Sequence, residues 1–471
     1  MSRTIVAEGV FDVAVIGSGP GGYVAAIRAR QLGLSVAVVE KDRVGGRCLN
    51  YACIPAKAVL RSADVLDEIR AAATFGINTG EPAVDFATVA KRRDRVVKTL
   101  TGGVAGLLKK HEIPVAVGDA AFAPPTTEGV IEIHITGEQG VQALRATNVI
   151  LATGSVSLPV MNVPFGGRIV DTAGAWLAVG MPASLAVIGA GASGVEVASA
   201  FGRLGTPVTL IEVLPQILPA EEPEISAALA KELTKQNVEV LTSAQIASID
   251  QDENAVTINV NGDARQYEAL CIAAGRAPDV VGLNLEVYGV RTDERGAIAI
   301  DERQRTSHPN IFAIGDIVRG PALAHKASEE GVVAAEAIVS LADTEPIDVD
   351  NIPRATFCSP QVASIGLTEQ QARDAGRQVV VGTFPLAAAG AATVYGDRNG
   401  MIKIIGDPES GEIIGAHAFG SKAADMIAEL AVAKASQVGY PDLARIIHAH
   451  PTISEAVLEA ARAADGWVIH A

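Results

Sequence analysis

Two cysteines five positions apart, Cys48 and Cys53, stand in the run Gly45-Gly46-Arg47-Cys48-Leu49-Asn50-Tyr51-Ala52-Cys53-Ile54-Pro55-Ala56-Lys57. The chain holds 4 cysteines in 471 residues, so half of them fall in this one segment. The segment follows a glycine-rich loop and a run that ends on the acid Glu40. A thiol pair beside a dinucleotide site can pass electrons between a disulfide and a cofactor. The stretch Met1 to Gly9 lacks a basic-then-apolar signal pattern, which points to the cytoplasm. Ordinary thiols stay reduced there, so a Cys48–Cys53 disulfide reads as redox-active rather than structural.

The elements that position these cysteines follow from the pattern around them. Phe11 to Ile16 is a mostly apolar, Val-rich run suited to a buried parallel strand. Gly17-Ser18-Gly19-Pro20-Gly21-Gly22 follows, then a helical pattern from Tyr23 to Leu32 and a strand from Ser35 that ends at Glu40. The acid lies 23 positions after the first glycine, as in a dinucleotide-binding βαβ unit. The design recurs. Leu185 to Ile188 leads into Gly189-Ala190-Gly191-Ala192-Ser193-Gly194, a helix through Leu204, and a strand Val208 to Ile211 that ends at Glu212. The spacing is again 23. One such match is weak; two with equal spacing and complete context are specific.

In each loop the glycines (Gly17, Gly19 and Gly22; Gly189, Gly191 and Gly194) permit a tight turn and close approach of backbone to a pyrophosphate. The helix N-terminus adds exposed N–H groups and a positive dipole end. Glu40 and Glu212 can each accept hydrogen bonds from a ribose diol. An acid at that place repels the extra phosphate of NADP, and no arginine follows closely in Glu212-Val213-Leu214-Pro215-Gln216, so Glu212 points to NAD. Two dinucleotide sites and one dithiol imply a relay through a flavin, because a nicotinamide accepts hydride while a disulfide exchanges by thiolate attack.

Composition sets outer limits. The length suggests about three domains. A formal net charge of −16 and 4% aromatic residues argue against nucleic-acid binding. The apolar run Val13 to Ile27 is interrupted by Gly17, Gly19, Pro20, Gly21 and Gly22, so no membrane span is expected there. No metal site is expected. Pro159, Pro164 and Gly166-Gly167 mark a boundary before the second βαβ unit, and Asp343 to Pro353 reads as a linker. Beyond it, strands over Val379 to Phe384, Met401 to Ile405 and Glu412 to Ala418 and helices over Ala423 to Ala435 and Ser454 to Ala463 predict a smaller α+β domain. The predicted fold class is α/β, with two Rossmann-like dinucleotide-binding domains and a C-terminal α+β domain. Together with the family resemblance carried by the motifs below, this implies boundaries of 1–155 and 276–347 for the two parts of a flavin-binding and central domain, 156–275 for NAD, and 348–471 for a dimerisation (interface) domain. Cys271 and Cys358 fall in apolar, strand-like contexts and read as inert core thiols.

The segment Gly45 to Lys57 resembles the redox-active disulfide motif of the FAD-dependent pyridine nucleotide–disulfide oxidoreductases. Ile311-Phe312-Ala313-Ile314-Gly315-Asp316 is similar to that family's second flavin motif. Leu323-Ala324-His325-Lys326-Ala327 and His448-Ala449-His450-Pro451-Thr452-Ile453-Ser454-Glu455 resemble motifs of its dihydrolipoamide-oxidising members. Together they span essentially the whole chain.

The resemblance implies roles. Cys48 is the interchange thiol, and Cys53 lies against the flavin as a charge-transfer thiolate. Lys57 sits near the flavin N5 and pairs with Glu196. Asp316 holds the ribityl chain, and Thr153 and Gly154 line the FAD. Gly46, Gly118, Ala324 and Gly275 join the cofactor-binding set. His450, contributed by the partner subunit of a homodimer, is the acid–base, oriented by Glu455. The implied reaction passes electrons from dihydrolipoamide to the disulfide, to FAD and to NAD⁺. The implied partner is a lipoyl-bearing carrier protein of a 2-oxoacid dehydrogenase or glycine cleavage system; no lipoyl module is expected on this chain.

The chemistry is sound in itself. A thiol must lose its proton before it attacks a disulfide, imidazole is poised for that near neutral pH, and a carboxylate fixes its tautomer. A plainer reading stands beside the Glu455 role: Thr452-x-x-Glu455 is also a capping box, and one residue can do both. His448 reads as a surface loop residue. Arg47 stands where the family usually carries a small hydroxyl residue, and a guanidinium there can lower the pKa of Cys48 or contact a partner. Ala192 and Ser193 stand where several relatives place a tyrosine lid, which predicts a more open nicotinamide pocket. The runner-up function is a family member acting on another low-molecular-weight disulfide. Members that reduce mercuric ion or thioredoxin need a further C-terminal redox pair, which Trp467-Val468-Ile469-His470-Ala471 lacks. A glutathione-reducing member would favour an arginine-lined NADP pocket over Glu212. A non-enzymatic redox sensor could dispense with His450, Glu455 or one cysteine, and all are present.

Overall fold

The computed structural model describes residues 9–125, 129–138, 140–342 and 344–471. Met1 to Glu8, on which the signal-peptide reading rests, and Asp343, the first residue of the predicted linker, lie outside the described residues. The chain forms two compact units: Met1–Ala58, Ala90–Leu158 and Gly275–Ile347, and Val59–Val89, Pro159–Ala274 and Asp348–Ala471.

In the first unit, the strand Val10–Ile16 pairs in parallel with Val36–Glu40 on one side and Gly140–Leu151 on the other. Val115–Val117 extends the sheet beyond Val36–Glu40, and Ile311–Ala313 runs beside Gly140–Leu151. Two antiparallel strands, Ile131–Gly137 and Asp119–Phe122, complete it. Val13, Val15, Val38 and Val39 are buried, as expected where a parallel sheet is covered on both faces. The helix Pro20–Gln31 packs closely on the helix Ala324–Ile338. Glycine makes that approach possible. A Cβ on Gly331 would lie 2.6 Å from the Gly21 carbonyl oxygen, and one on Gly21 would lie 2.8 Å from that of Ala327.

The second unit holds a parallel sheet in the order Val238–Leu241, Val208–Ile211, Leu185–Ile188, Ala269–Ile272, Ile169–Asp171. An antiparallel trio, Ile246–Gln251, Val256–Val260 and Asp263–Tyr267, forms a separate sheet that shares a core with it, Ile249, Ile258 and Val260 burying with Ala186, Ile188 and Leu270. The C-terminal sheet is antiparallel, in the order Arg354–Thr356, Gln361–Gly366, Ile413–Gly420, Met401–Gly406, Val380–Pro385. The helices Ala423–Ala435 and Glu455–Ala464 cover it. Ala456, Val457, Ala460, Ala461 and Ala464 recur at helical spacing and bury against Phe384, Ile402 and Ile404. The fold is thus α/β with two Rossmann-like sheets and a C-terminal α+β domain. Cys358 departs from its predicted strand. The strand ends at Thr356, and Cys358 lies in the bend before Pro360, which has no N–H for a ladder.

Candidate active site

The two glycine loops share one hydrogen-bonding plan. In the first, the Ser18 backbone N–H donates to Glu40 Oε2 (2.9 Å), and the Asp42 N–H donates to Oε1 (2.9 Å). In the second, the Ala190 N–H donates to Glu212 Oε2 (2.7 Å), and the Leu214 N–H to Oε1 (2.9 Å). Each acid therefore braces the loop that precedes it. Both are buried, and each carboxylate keeps acceptor capacity for a ribose hydroxyl. A Cβ on Gly22 or on Gly194 would strike the carbonyl oxygen of Gly17 or Gly189, which both have positive φ (102° and 97°). Gly19 and Gly191 begin the two helices with no side-chain cap, and a Cβ at either would meet open space. The helix-end N–H groups are thus left to a ligand, as a pyrophosphate requires. Both cradles fit the pyrophosphate of a dinucleotide.

Gly46, with φ 59°, brings the short helix Gly46–Asn50 onto the first loop, where a Cβ would lie 2.6 Å from Gly19 Cα. Asn50 locks this turn by donating to the carbonyls of Val44 (3.1 Å) and Gly46 (2.9 Å). Cys48 sits in this helix, and Cys53 opens the next, Cys53–Ala71. The two are joined as a disulfide with Cα atoms 4.8 Å apart. Lys57 lies one turn along that helix, half-buried. The disulfide therefore stands directly beside the phosphate-binding turn.

The other residues expected to bind cofactor gather at strand ends of the first unit. Ser155 Oγ hydrogen-bonds Asp316 Oδ2, and Arg276 Nε donates to the same hydroxyl (2.8 Å). Thr153 donates to the Asp279 carbonyl (2.6 Å), and Gly154 turns the chain with φ 79°. The Gly118 N–H donates to the Glu40 carbonyl (3.0 Å), and the Leu158 N–H to that of Gly275 (3.1 Å). Ala324 begins the helix Ala324–Ile338. Two residues absent from the expected set act here. The buried ion pair Lys326–Glu330 (2.7 Å) grips the Gly315 peptide, with Glu330 accepting its N–H (2.6 Å) and Lys326 donating to its carbonyl (3.2 Å). Burial still pushes the Glu330 carboxyl upward. The i, i+4 spacing of an acid and a base on one helix was the available signal.

In the second unit, His450 Nδ1 and Glu455 Oε1 are 2.9 Å apart, while the Thr452 N–H donates to Glu455 Oε2 (2.9 Å). Glu455 thus serves ring and backbone at once. The capping box is only half formed. The Thr452 hydroxyl donates to the Ala449 carbonyl (2.8 Å), and Glu455 is the first residue of its helix. Burial raises the Glu455 carboxyl, but the Thr452 N–H and the His450 ring outweigh it and hold the group below the usual range. The His450 side chain is 77% exposed, free to meet a substrate or a second subunit. His448 corrects its surface reading, since its side chain is 7% exposed and bonded to Glu429 (2.6 Å). Glu196, buried on the helix Ala192–Leu204, accepts the Phe357 N–H (2.9 Å). Lys57 and Glu196 belong to different units, and each is described within its own. Cys271 and Cys358 are buried with thiols pushed upward, Cys358 to about 12, chiefly by burial.

A dinucleotide cradle beside a disulfide, a second cradle, and a histidine–carboxylate pair define a flavin-linked disulfide oxidoreductase. The comparisons agree. Residues 11–331 match the family "Pyridine nucleotide-disulphide oxidoreductase", and residues 352–461 match its dimerisation domain. The chain belongs to this family, whose cofactors are FAD and NAD. Within it, the chain is 42% identical to a dihydrolipoyl dehydrogenase of Geobacillus stearothermophilus over 98% of this chain and 97% of the relative. It is 41% identical to one of Thermus scotoductus over 98% of both. Among solved structures, the HOCl-induced flavoprotein disulfide reductase RclA of Escherichia coli, as a Cu(II) complex, has a TM-score of 0.86 at 27% identity, covering 96% and 99% of the two chains. LpdA of Mycobacterium tuberculosis has a TM-score of 0.89 at 24% identity over 96% and 99%, a likeness of fold. Among the described residues no helix is long and apolar enough to cross a membrane.

Proposed function

We infer that the chain is an NAD-dependent dihydrolipoyl dehydrogenase. The observation that carries this is the Cys48–Cys53 disulfide built onto the turn of the first glycine loop. Identity of 42% to dihydrolipoyl dehydrogenases, against 27% to RclA, favours dihydrolipoyl groups over other disulfide substrates.

The chain's own residues divide the work. His450, supplied across the dimer, takes the proton of a substrate thiol. Glu455 holds its ring in one orientation and stabilises the imidazolium. The substrate thiolate attacks Cys48 Sγ, the Cys48–Cys53 bond breaks, and Cys53 leaves as a thiolate. The second substrate thiol loses its proton to water and attacks the substrate sulfur of the mixed disulfide, closing the lipoyl ring and expelling Cys48 Sγ, which takes the proton held on His450. FAD, when bound, supplies the two-electron carrier between the dithiol and NAD⁺. Gly17, Gly19, Gly22, Glu40, Gly46, Gly118, Thr153, Gly154, Asp316 and Ala324 would hold FAD, with Lys57 near its reactive edge. Gly189, Gly191, Gly194 and Glu212 would hold NAD.

The dimerisation domain supports a homodimer. We assign the substrate to the lipoyl arm of a carrier protein, of a 2-oxoacid dehydrogenase or glycine cleavage system, in the cytoplasm. The division at 1–155, 156–275, 276–347 and 348–471 belongs to the same proposal, supported by the separate sheets. NAD⁺ reduction by dihydrolipoamide tests it, run beside NADP⁺ and beside Cys53→Ser. NADH formation with NAD⁺ alone, lost in the variant, is the expected result; no turnover by FAD-loaded protein would overturn it.

A further inference from the structure

The mechanism uses His450 and Glu455 but leaves their neighbour His448 without a task. Its ring is unusually fully engaged. Nε2 lies 2.6 Å from Glu429 Oε1, on the helix Ala423–Ala435. Nδ1 lies 2.9 Å from the Ile446 carbonyl oxygen. Carboxylate and carbonyl oxygens only accept here, so both ring nitrogens must donate. A neutral imidazole has one N–H, so this geometry is satisfied by the imidazolium alone.

We propose that His448 is a positioning residue for the His450–Glu455 pair: a standing imidazolium that ties the loop bearing His450 to the helix Ala423–Ala435 and neutralises Glu429. The inference rests on the reading of His450 and Glu455 as the acid–base pair. The charged groups acting on His448 are Glu429 from the helix Ala423–Ala435 and Glu455 from the head of the helix Glu455–Ala464. Glu455 in turn feels both His450 and His448. The bond to Glu429 is the leading cause that lifts the His448 ring above its ordinary value, and burial opposes it. The two sites are therefore linked through one carboxylate. Without His448, Glu429 would stand as an uncompensated negative charge beside the loop that carries His450. That charge would raise the proton affinity of His450 and leave less of it as free base near neutral pH.

The sign gives a test that a purely structural role would not meet. In His448→Gln the Glu429 charge is uncovered, so the acid limb of kcat/KM for dihydrolipoamide moves up by about half a pH unit. In His448→Gln/Glu429→Gln both charges are gone and the limb returns. Holoenzyme labelled with ¹⁵N-histidine gives an independent readout by NMR of the ring nitrogens. Among 8 histidines, one ring should keep both protons at pH 8 and vanish in His448→Gln. If His448→Gln does not assemble, Glu429→Gln carries the test, because that ring should then lose its second proton below pH 8. No doubly protonated ring at pH 8, an unmoved limb in His448→Gln, or a displaced limb that persists in the double variant would each overturn the proposal. His450→Gln run alongside separates the two readings: retained activity there sinks the acid–base pair itself.

Discussion

Glu455 holds His450 through one carboxylate oxygen and the Thr452 backbone N–H through the other, both at 2.9 Å. The carboxylate is thereby fixed by the backbone before it meets the ring. A base that must alternate between neutral and charged forms gains from a partner that does not itself move.

His450→Gln should lower the rate of NAD⁺ reduction by dihydrolipoamide about 10²–10⁴-fold, the usual worth of one positioned proton transfer. FAD content and thermal midpoint should stay put, because the ring is exposed. Glu455→Ala should lose rate and about 1 kcal/mol of stability together, since it also leaves the Thr452 N–H without its acceptor. Steady-state assays beside calorimetry separate the two effects.

The thiol inventory gives a second expectation. The native enzyme has one disulfide and two buried thiols, Cys271 and Cys358, whose reactivity is suppressed by burial. A thiol reagent should find none quickly in the oxidised protein, two after mild reduction, and four after reduction in denaturant. Cys358→Ser should leave turnover intact. A third fast thiol in the folded protein would contradict the core assignment.

Both βαβ units were legible in the sequence because their chemistry is local. Glu40 returns to Ser18 and Glu212 to Ala190 within one strand–helix–strand unit, so spacing alone carried the geometry. The same holds for the Cys48–Cys53 pair. What was illegible depends on packing between distant segments. Glu429 meets His448 only because one helix lies against the loop before another, and no short motif encodes that. Lys403 meets Glu222 across 181 residues. Cys358 looked strand-like because its neighbours are apolar, but Pro360 cannot continue a ladder, and the chain bends there instead.

Lys403 is the source of a stability prediction. It is buried and bonded to Glu222 (2.9 Å), Glu224 (2.7 Å) and Glu369 (2.8 Å). Lys403→Met would leave Glu222 buried without its cation, at a cost of about 3–5 kcal/mol. The pH dependence follows. Lys403 first, then Arg373, hold Glu369 below the usual carboxylate range. Its contribution is complete above the unfolded value of roughly 4.3 and is lost as pH falls through the lower folded value. The thermal midpoint should therefore drop on acidification below about pH 4.5, and drop less steeply in Lys403→Met. Scanning calorimetry between neutral and acid pH measures both slopes.

Glu212 should decide the nicotinamide. Its oxygens brace the Ala190 and Leu214 N–H groups, and under the proposed NAD site its charge would meet the 2′-phosphate of NADP. Glu212→Gln keeps an acceptor for one of these N–H groups but removes the repulsion. The ratio of kcat/KM for NADP⁺ over NAD⁺ should rise, with most of the change in KM. Gly194→Ala acts differently: its methyl group strikes the Gly189 carbonyl, so binding of either nucleotide should fail while FAD is retained. Loss of FAD in Gly194→Ala, or an unchanged NADP⁺ to NAD⁺ ratio in Glu212→Gln, would contradict the assignment of the second cradle.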